Sequence, residues 1–180
     1  MAKPVTASSG SLPPAIQGCL EACRRCEALV GLTVPGGSPG LAYAAIKQHL
    51  RHCVDHYQCF LQSLESGTVD YDARDRSELL AQDPERMQAA LASIATKLRA
   101  IDPATFTRKL DVVQSASCGT PALTVESNLE RELIFLSGHT IHHIAIMAIL
   151  ADRHGVKVPE ELSVAFSTAA YLDRMTMDSG

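Results

Sequence analysis

Tryptophan is absent from the 180-residue chain, and phenylalanine and tyrosine together supply only 4% of it. A surface that stacks sugar rings or unpaired bases needs more aromatic faces than that, so neither ligand class is expected. Positive charge is not in excess: 16 Lys+Arg stand against 20 Asp+Glu, a formal net charge of -4. Duplex nucleic acid, which is held by displacing counterions from phosphates with a basic patch, is therefore not an expected partner. The segment Met1–Pro14 is small, polar and proline-bearing, without the apolar stretch of a secretory signal. The longest greasy run, Ile144–Leu150, meets charge at Asp152, well short of the roughly 18 residues that span a bilayer. A cytoplasmic protein with no membrane partner is the expectation.

Several catalytic signatures are missing too. There is no glycine-rich phosphate loop, no Gly-x-Ser-x-Gly elbow and no His-Glu-x-x-His zinc helix. Glu-x-x-His occurs nowhere, which removes the carboxylate di-iron pattern of ferritin-like bundles.

What is present is a core-forming chain, 46% hydrophobic, in which seven histidines and six cysteines stand out. Its length suits one domain. The expected division is a flexible N-terminal segment at 1–13, one helical domain at 14–170 and a tail at 171–180. Proline and glycine punctuation marks four long helices. The first runs from about Pro14 to Leu32 and stops at Val34-Pro35-Gly36-Gly37. The second runs from near Leu41 to about Ser66, with Leu50, Val54, Phe60, Leu61 and Leu64 on one side. A polar loop is expected over Gly67–Arg76. The third helix opens at Asp83-Pro84, an N-cap followed by a first-turn proline, and closes near Ala100. Two short strands or an extended excursion are expected around Thr107–Val113 and Ala122–Val125. The fourth helix is expected to start at Ser127 as N-cap, with Glu130 completing a capping box, and to end at His154-Gly155. The fold class is then all-α, a four-helix bundle with a short extended excursion before its fourth helix.

Six of the seven histidines fall in two clusters, His49, His52 and His56 in the second helix and His139, His142 and His143 in the fourth. At about 100° per residue the first three span an arc of about 60° and the second three about 100°. Each cluster holds an i,i+4 pair, His52/His56 and His139/His143, a spacing that lets two imidazoles converge on one divalent metal. Two such helices could supply three nitrogens and leave positions open for water or substrate. Histidines satisfied by hydrogen bonds inside the bundle are the plainer alternative.

The segments Ile46-Lys47-Gln48-His49-Leu50-Arg51-His52-Cys53-Val54 and His139-Thr140-Ile141-His142-His143, in that order, resemble the DinB/YfiT-like superfamily of metal-binding four-helix bundles. The resemblance covers about Ile16 to Leu150. Val69–Arg74 and Glu130–Leu133 also look like one subgroup of that family. Carried over by position, it implies a divalent metal (zinc, nickel or iron) on His52, His139 and His143, completed by water. His49, His56 and His142 would line the pocket, with His56 able to replace His52 if the register shifts by a turn. The resemblance further implies thiol-dependent transferases or isomerases. Three convergent histidines without a fourth protein ligand make a metal-dependent S-transferase or hydrolase acting on a low-molecular-weight thiol or an electrophile the expectation, with a homodimer through exposed apolar helix faces compatible. The competing expectation is a non-catalytic metal-binding or stress-response module. Asp55 is a candidate orienter of a ligand histidine.

Cys19, Cys23 and Cys26 share one helix face and read as small core residues, with a soft-metal site as the sharper alternative. Cys53 and Cys59 flank the histidines, and Cys118, in a loop, is expected to be the most exposed and reactive thiol. Arg51, Arg74 and Arg131 are candidate substrate contacts, with a solvated surface role the default.

Overall fold

The computed structural model describes residues 11–38 and 40–177; most of the expected N-terminal segment lies outside that range. The described chain is mostly helical, with a small three-stranded sheet.

Helix α1 spans Pro14–Thr33, opened by its first-turn proline. It gives way to a tight turn at Pro35–Gly37, where Gly36 and Gly37 take φ of 65° and 80°, a left-handed backbone that suits glycine. Helix α2 covers Leu41–Gln62. It stops four residues before the expected Ser66, because Ser63 and Ser66 turn their hydroxyls onto local carbonyls, Phe60 O at 2.7 Å and Ser63 O at 3.2 Å. Next comes β1 (Thr68–Asp70), then α3 (Glu78–Gln82) and α4 (Pro84–Arg99). As expected, Asp83 caps α4, its carboxylate accepting from the amides of Glu85 and Arg86. The apolar stripe of α4, Met87, Leu91, Ile94 and Leu98, is buried at helical spacing.

Strands β2 (Lys109–Gln114) and β3 (Leu123–Asn128) form the expected excursion, paired antiparallel with Val112 opposite Val125. The expected loop at Gly67–Arg76 is corrected in its first part: β1 pairs parallel with β2, Val69 facing Val112. The sheet order is β1-β2-β3. Leu110 and Val112 of β2 turn inward while their neighbours face solvent.

Helix α5 (Leu129–Arg153) follows β3 directly. Its cap is Asn128, whose side chain accepts from the amide of Arg131, and not Ser127 as the capping box suggested. Ser127 instead donates to the Glu132 carboxylate at 2.6 Å. The chain leaves α5 through His154 and Gly155, the latter at φ 79°, and ends in α6 (Glu160–Ser163) and α7 (Phe166–Met177). Helix α7 runs across position 170, where the tail was expected to begin.

Helix α5 packs against α2 and α1, and α4 closes the other side of the same pair. Between them lies one core, with Ile16, Leu29, Ile46, Leu50, Leu133 and Ile144 among its fully enclosed side chains. Contrary to the sequence reading of its apolar content, α5 is long and apolar enough to cross a membrane by length and composition. Ten of its residues, Glu132 included, are nevertheless buried in the fold.

One polar knot ties the sheet to this core. Glu132, 2% exposed, accepts from the Tyr71 hydroxyl at 2.9 Å and from Ser127. Burial beside that carboxylate pushes the Tyr71 phenol well above its usual pKa, so it stays a donor. Replacing Tyr71 by Phe removes one donor from a buried carboxylate and is expected to cost about 1–3 kcal/mol. Urea unfolding followed by circular dichroism measures it; unchanged stability would show that the knot is replaceable by solvent.

Candidate metal centre

The α2–α5 seam brings the two histidine clusters together. His52 Nε2 lies 2.9 Å from His139 Nε2, and His49 Nδ1 lies 3.0 Å from His143 Nδ1. The His52 ring centroid is 4.3 Å from that of His56, 5.0 Å from His139 and 4.6 Å from His143. His56 donates from Nδ1 to the His52 carbonyl at 2.9 Å, an ordinary use of the i−4 position on a helix. Because a carbonyl only accepts, this bond fixes the His56 tautomer and leaves Nε2 with its lone pair.

Ring nitrogens of His52, His56 and His139 all fall within 4.8 Å of one another. Two of the three expected ligands, His52 and His139, are thus in this group, joined by His56. His143 stands against the same rings, 4.6 Å from His139 between centroids, with its Nδ1 turned to His49. His142 is exposed, 5.6 Å from the His143 ring. His154 is exposed at the C-terminus of α5.

The cluster is built for neutral imidazole. Burial, reinforced by the neighbouring histidines, pushes His52 down to about 3 and His139 and His143 down to about 4. Burial also lowers His49 and His56. Neutral rings offer lone pairs, which is the state a metal requires. Tetrahedral zinc, with bonds of about 2.0–2.1 Å, holds its nitrogens about 3.3 Å apart. The 2.9 Å separation of His52 and His139 is that of a hydrogen bond, a little short of metal geometry. The donor set fits a divalent metal with all-nitrogen preference.

Aromatic rings wall the cluster. Tyr71 stacks on His56 at 5.3 Å and Phe135 on His139 at 5.5 Å. Neither was picked out from the sequence; Phe135 stands one helical turn before His139 and could have been found by that spacing, whereas Tyr71 arrives from β1 and could not. Asp55 does not take the orienting role expected of it. Its carboxylate is 3% exposed and accepts from Arg51 Nη1 at 2.9 Å, while the His52 carbonyl orients His56. Burial raises Asp55 to about 6 against the opposing pull of Arg51.

The cysteines behave as core residues. Cys19, Cys23 and Cys26 are buried on α1, and Cys19 donates to Leu133 O at 3.1 Å. Burial pushes Cys19 up to about 12 and raises Cys23 as well, while a hydrogen bond with Cys53, together with burial, raises Cys26, so none offers a thiolate. Cys53 is buried and Cys59 donates to Asp70 O, so neither joins the histidine group.

Against family models, curated proteins and solved structures, the chain has no match.

In a native thiol titration with a chromogenic disulfide, Cys118, the one exposed cysteine, is expected to react first and Cys59 slowly. Cys19, Cys23, Cys26 and Cys53 should react only after denaturation. Rapid native modification of four or more thiols would contradict the packed α1 face.

Proposed function

We propose that the chain is a DinB/YfiT-like four-helix bundle whose histidine cluster holds a divalent metal and serves a metal-dependent transferase or hydrolase. The observation that carries this reading is the convergence of His52, His56 and His139 nitrogens from two helices at a point that is only half enclosed. His52 and His139 keep partial access to solvent, as a site that must admit a small molecule requires. Bound there, a divalent metal lowers the pKa of a thiol or water and so supplies a nucleophile at neutral pH. The protein's own residues orient and shield. The His52 carbonyl fixes the His56 ring, Tyr71 and Phe135 cover two imidazole faces, and Arg51 pairs with the buried Asp55 carboxylate. The proposed substrate is a low-molecular-weight thiol or an electrophile that such a thiol attacks.

The third ligand is open between two histidines. Resemblance favours His143, and nitrogen geometry favours His56. Metal analysis of the purified protein is expected to find one ion per chain, lost in His52→Ala and in His139→Ala. Whichever of His56→Ala and His143→Ala also loses it is the third ligand. Metal retained in all four variants would refute the site.

A specific observation favours a second reading, a structural histidine network. The pairs at 2.9 and 3.0 Å already satisfy each other as hydrogen bonds. Under that reading a chelator leaves thermal stability unchanged. Under the metal reading, melting falls on chelation and recovers with added zinc or nickel.

A further inference from the structure

A second concave feature lies at one end of the bundle, where residues from the ends of α2 and α4, the loop 102–108 and the start of α5 line a cleft of about 380 Å³. That volume suits a small molecule. Leu61, Leu64, Ile101 and Leu129 give it an apolar lining, and Ile101 and Leu129 are themselves buried against the core. None of the histidines lines it. Leu61 and His52 are nine residues apart on α2, about 14 Å along the helix axis, so the cleft is separate from the metal centre.

The cleft is also charged. Lys97, Arg108 and Asp102 line it. Lys109, next in the chain, is paired with Glu126 at 2.8 Å, but among the described residues neither Lys97 nor Arg108 has a carboxylate partner. Arg108 is held in place from three sides. Its amide donates to Thr105 O at 2.9 Å, its carbonyl accepts from the Leu129 amide at 3.2 Å, and its Nη2 donates to Leu64 O. The last bond ties the guanidinium to one wall of the cleft and uses one of its five N–H groups. Asp102 is committed to the backbone, its Oδ1 accepting from the Ala104 amide at 2.9 Å.

Two cations against one carboxylate leave the lining with a single net positive charge beside four apolar side chains. A small inorganic anion would leave the apolar lining without a partner, and a neutral apolar molecule would leave the two cations without one. A monoanion with an apolar body answers both.

We propose that this cleft is a second ligand site that takes a small amphiphilic carboxylate, its anionic end between Lys97 and Arg108 and its aliphatic body against Leu61, Leu64, Ile101 and Leu129. The site does not depend on the metal reading of the histidines.

The test is isothermal titration calorimetry of the full-length chain with three probes, octanoate, octan-1-ol and acetate. Octanoate is expected to bind about 10-fold more tightly than octan-1-ol, the gain of two solvent-exposed ion pairs. Acetate should bind about 100-fold more weakly than octanoate, since each buried methylene contributes about a fourfold gain. Lys97→Gln and Arg108→Gln should each weaken octanoate by about 3- to 5-fold. Ala100→Trp, which sets a ring among the lining residues, should abolish binding, while His52→Ala should leave it unchanged. If Arg108→Gln melts early through loss of its bond to Leu64, Lys97→Gln decides, because the Lys97 side chain is exposed. Octan-1-ol binding as tightly as octanoate overturns the proposal, as does octanoate affinity unchanged in Lys97→Gln or in Ala100→Trp. Octanoate binding lost in His52→Ala would put the carboxylate at the histidines and overturns it while the metal reading stands. No octanoate binding at millimolar concentration overturns it as well.

Discussion

The packing of α2 on α5 is the constraint on which the rest depends. Each helix must bury a stripe of aliphatic side chains, Ile46, Leu50 and Val54 on one and Leu133, Leu136 and Ile144 on the other. At about 100° per residue, the histidine stripe of each helix lies roughly a quarter to a third of a turn from its aliphatic stripe. Once the aliphatic faces meet, the histidines have nowhere to go but the margin of the same seam. His49, His52, His139 and His143 end half-buried and His56 buried, at the edge of the core. His142 follows from the same geometry. It falls nearly opposite the aliphatic stripe of α5 and is exposed.

Crowding five imidazoles at that margin has a cost that their arrangement limits. A buried ring nitrogen without a partner loses its hydration and gains nothing. His49 and His143 pair, His52 and His139 pair, and His56 uses a carbonyl of its own helix. Burial and mutual repulsion keep the rings uncharged. In each N–H···N pair one ring nitrogen carries the proton and the other lends its lone pair, so a metal entering there would take the proton's place. The two readings of the site are therefore two occupancies of one arrangement rather than two different structures.

Much of this was legible from residue spacing alone. Glycine and proline runs bounded α1 and α4, Asp83 announced its cap, and the helical period placed Cys19, Cys23 and Cys26 together in the core. The two histidine clusters were visible because i,i+3 and i,i+4 spacing survives any error of a residue or two in helix ends. What could not be read depended on contacts distant in sequence. Strand β1 has only three residues, and its pairing is with β2, about 40 positions later, so no local alternation betrays it. Ser127 fits a capping box by sequence, but Glu132 claims its hydroxyl, and the cap passes to Asn128. Which nitrogens converge also depends on side-chain rotation, and a helical wheel does not contain it.

The sheet, at first sight an appendage, is coupled to the site through one residue. Tyr71 follows β1 directly and its amide donates to Val113 O of β2 at 3.1 Å. Its hydroxyl ends in the buried Glu132 at the start of α5, its ring lies on His56, and its carbonyl holds Arg74. A shift in strand pairing would therefore move an imidazole face and a guanidinium together. Two helices alone could bring the histidines into contact. Fixing the ring planes and the charge beside them takes a third element, and the short parallel strand supplies it. Its position in the chain, between the two histidine helices, lets one residue touch both.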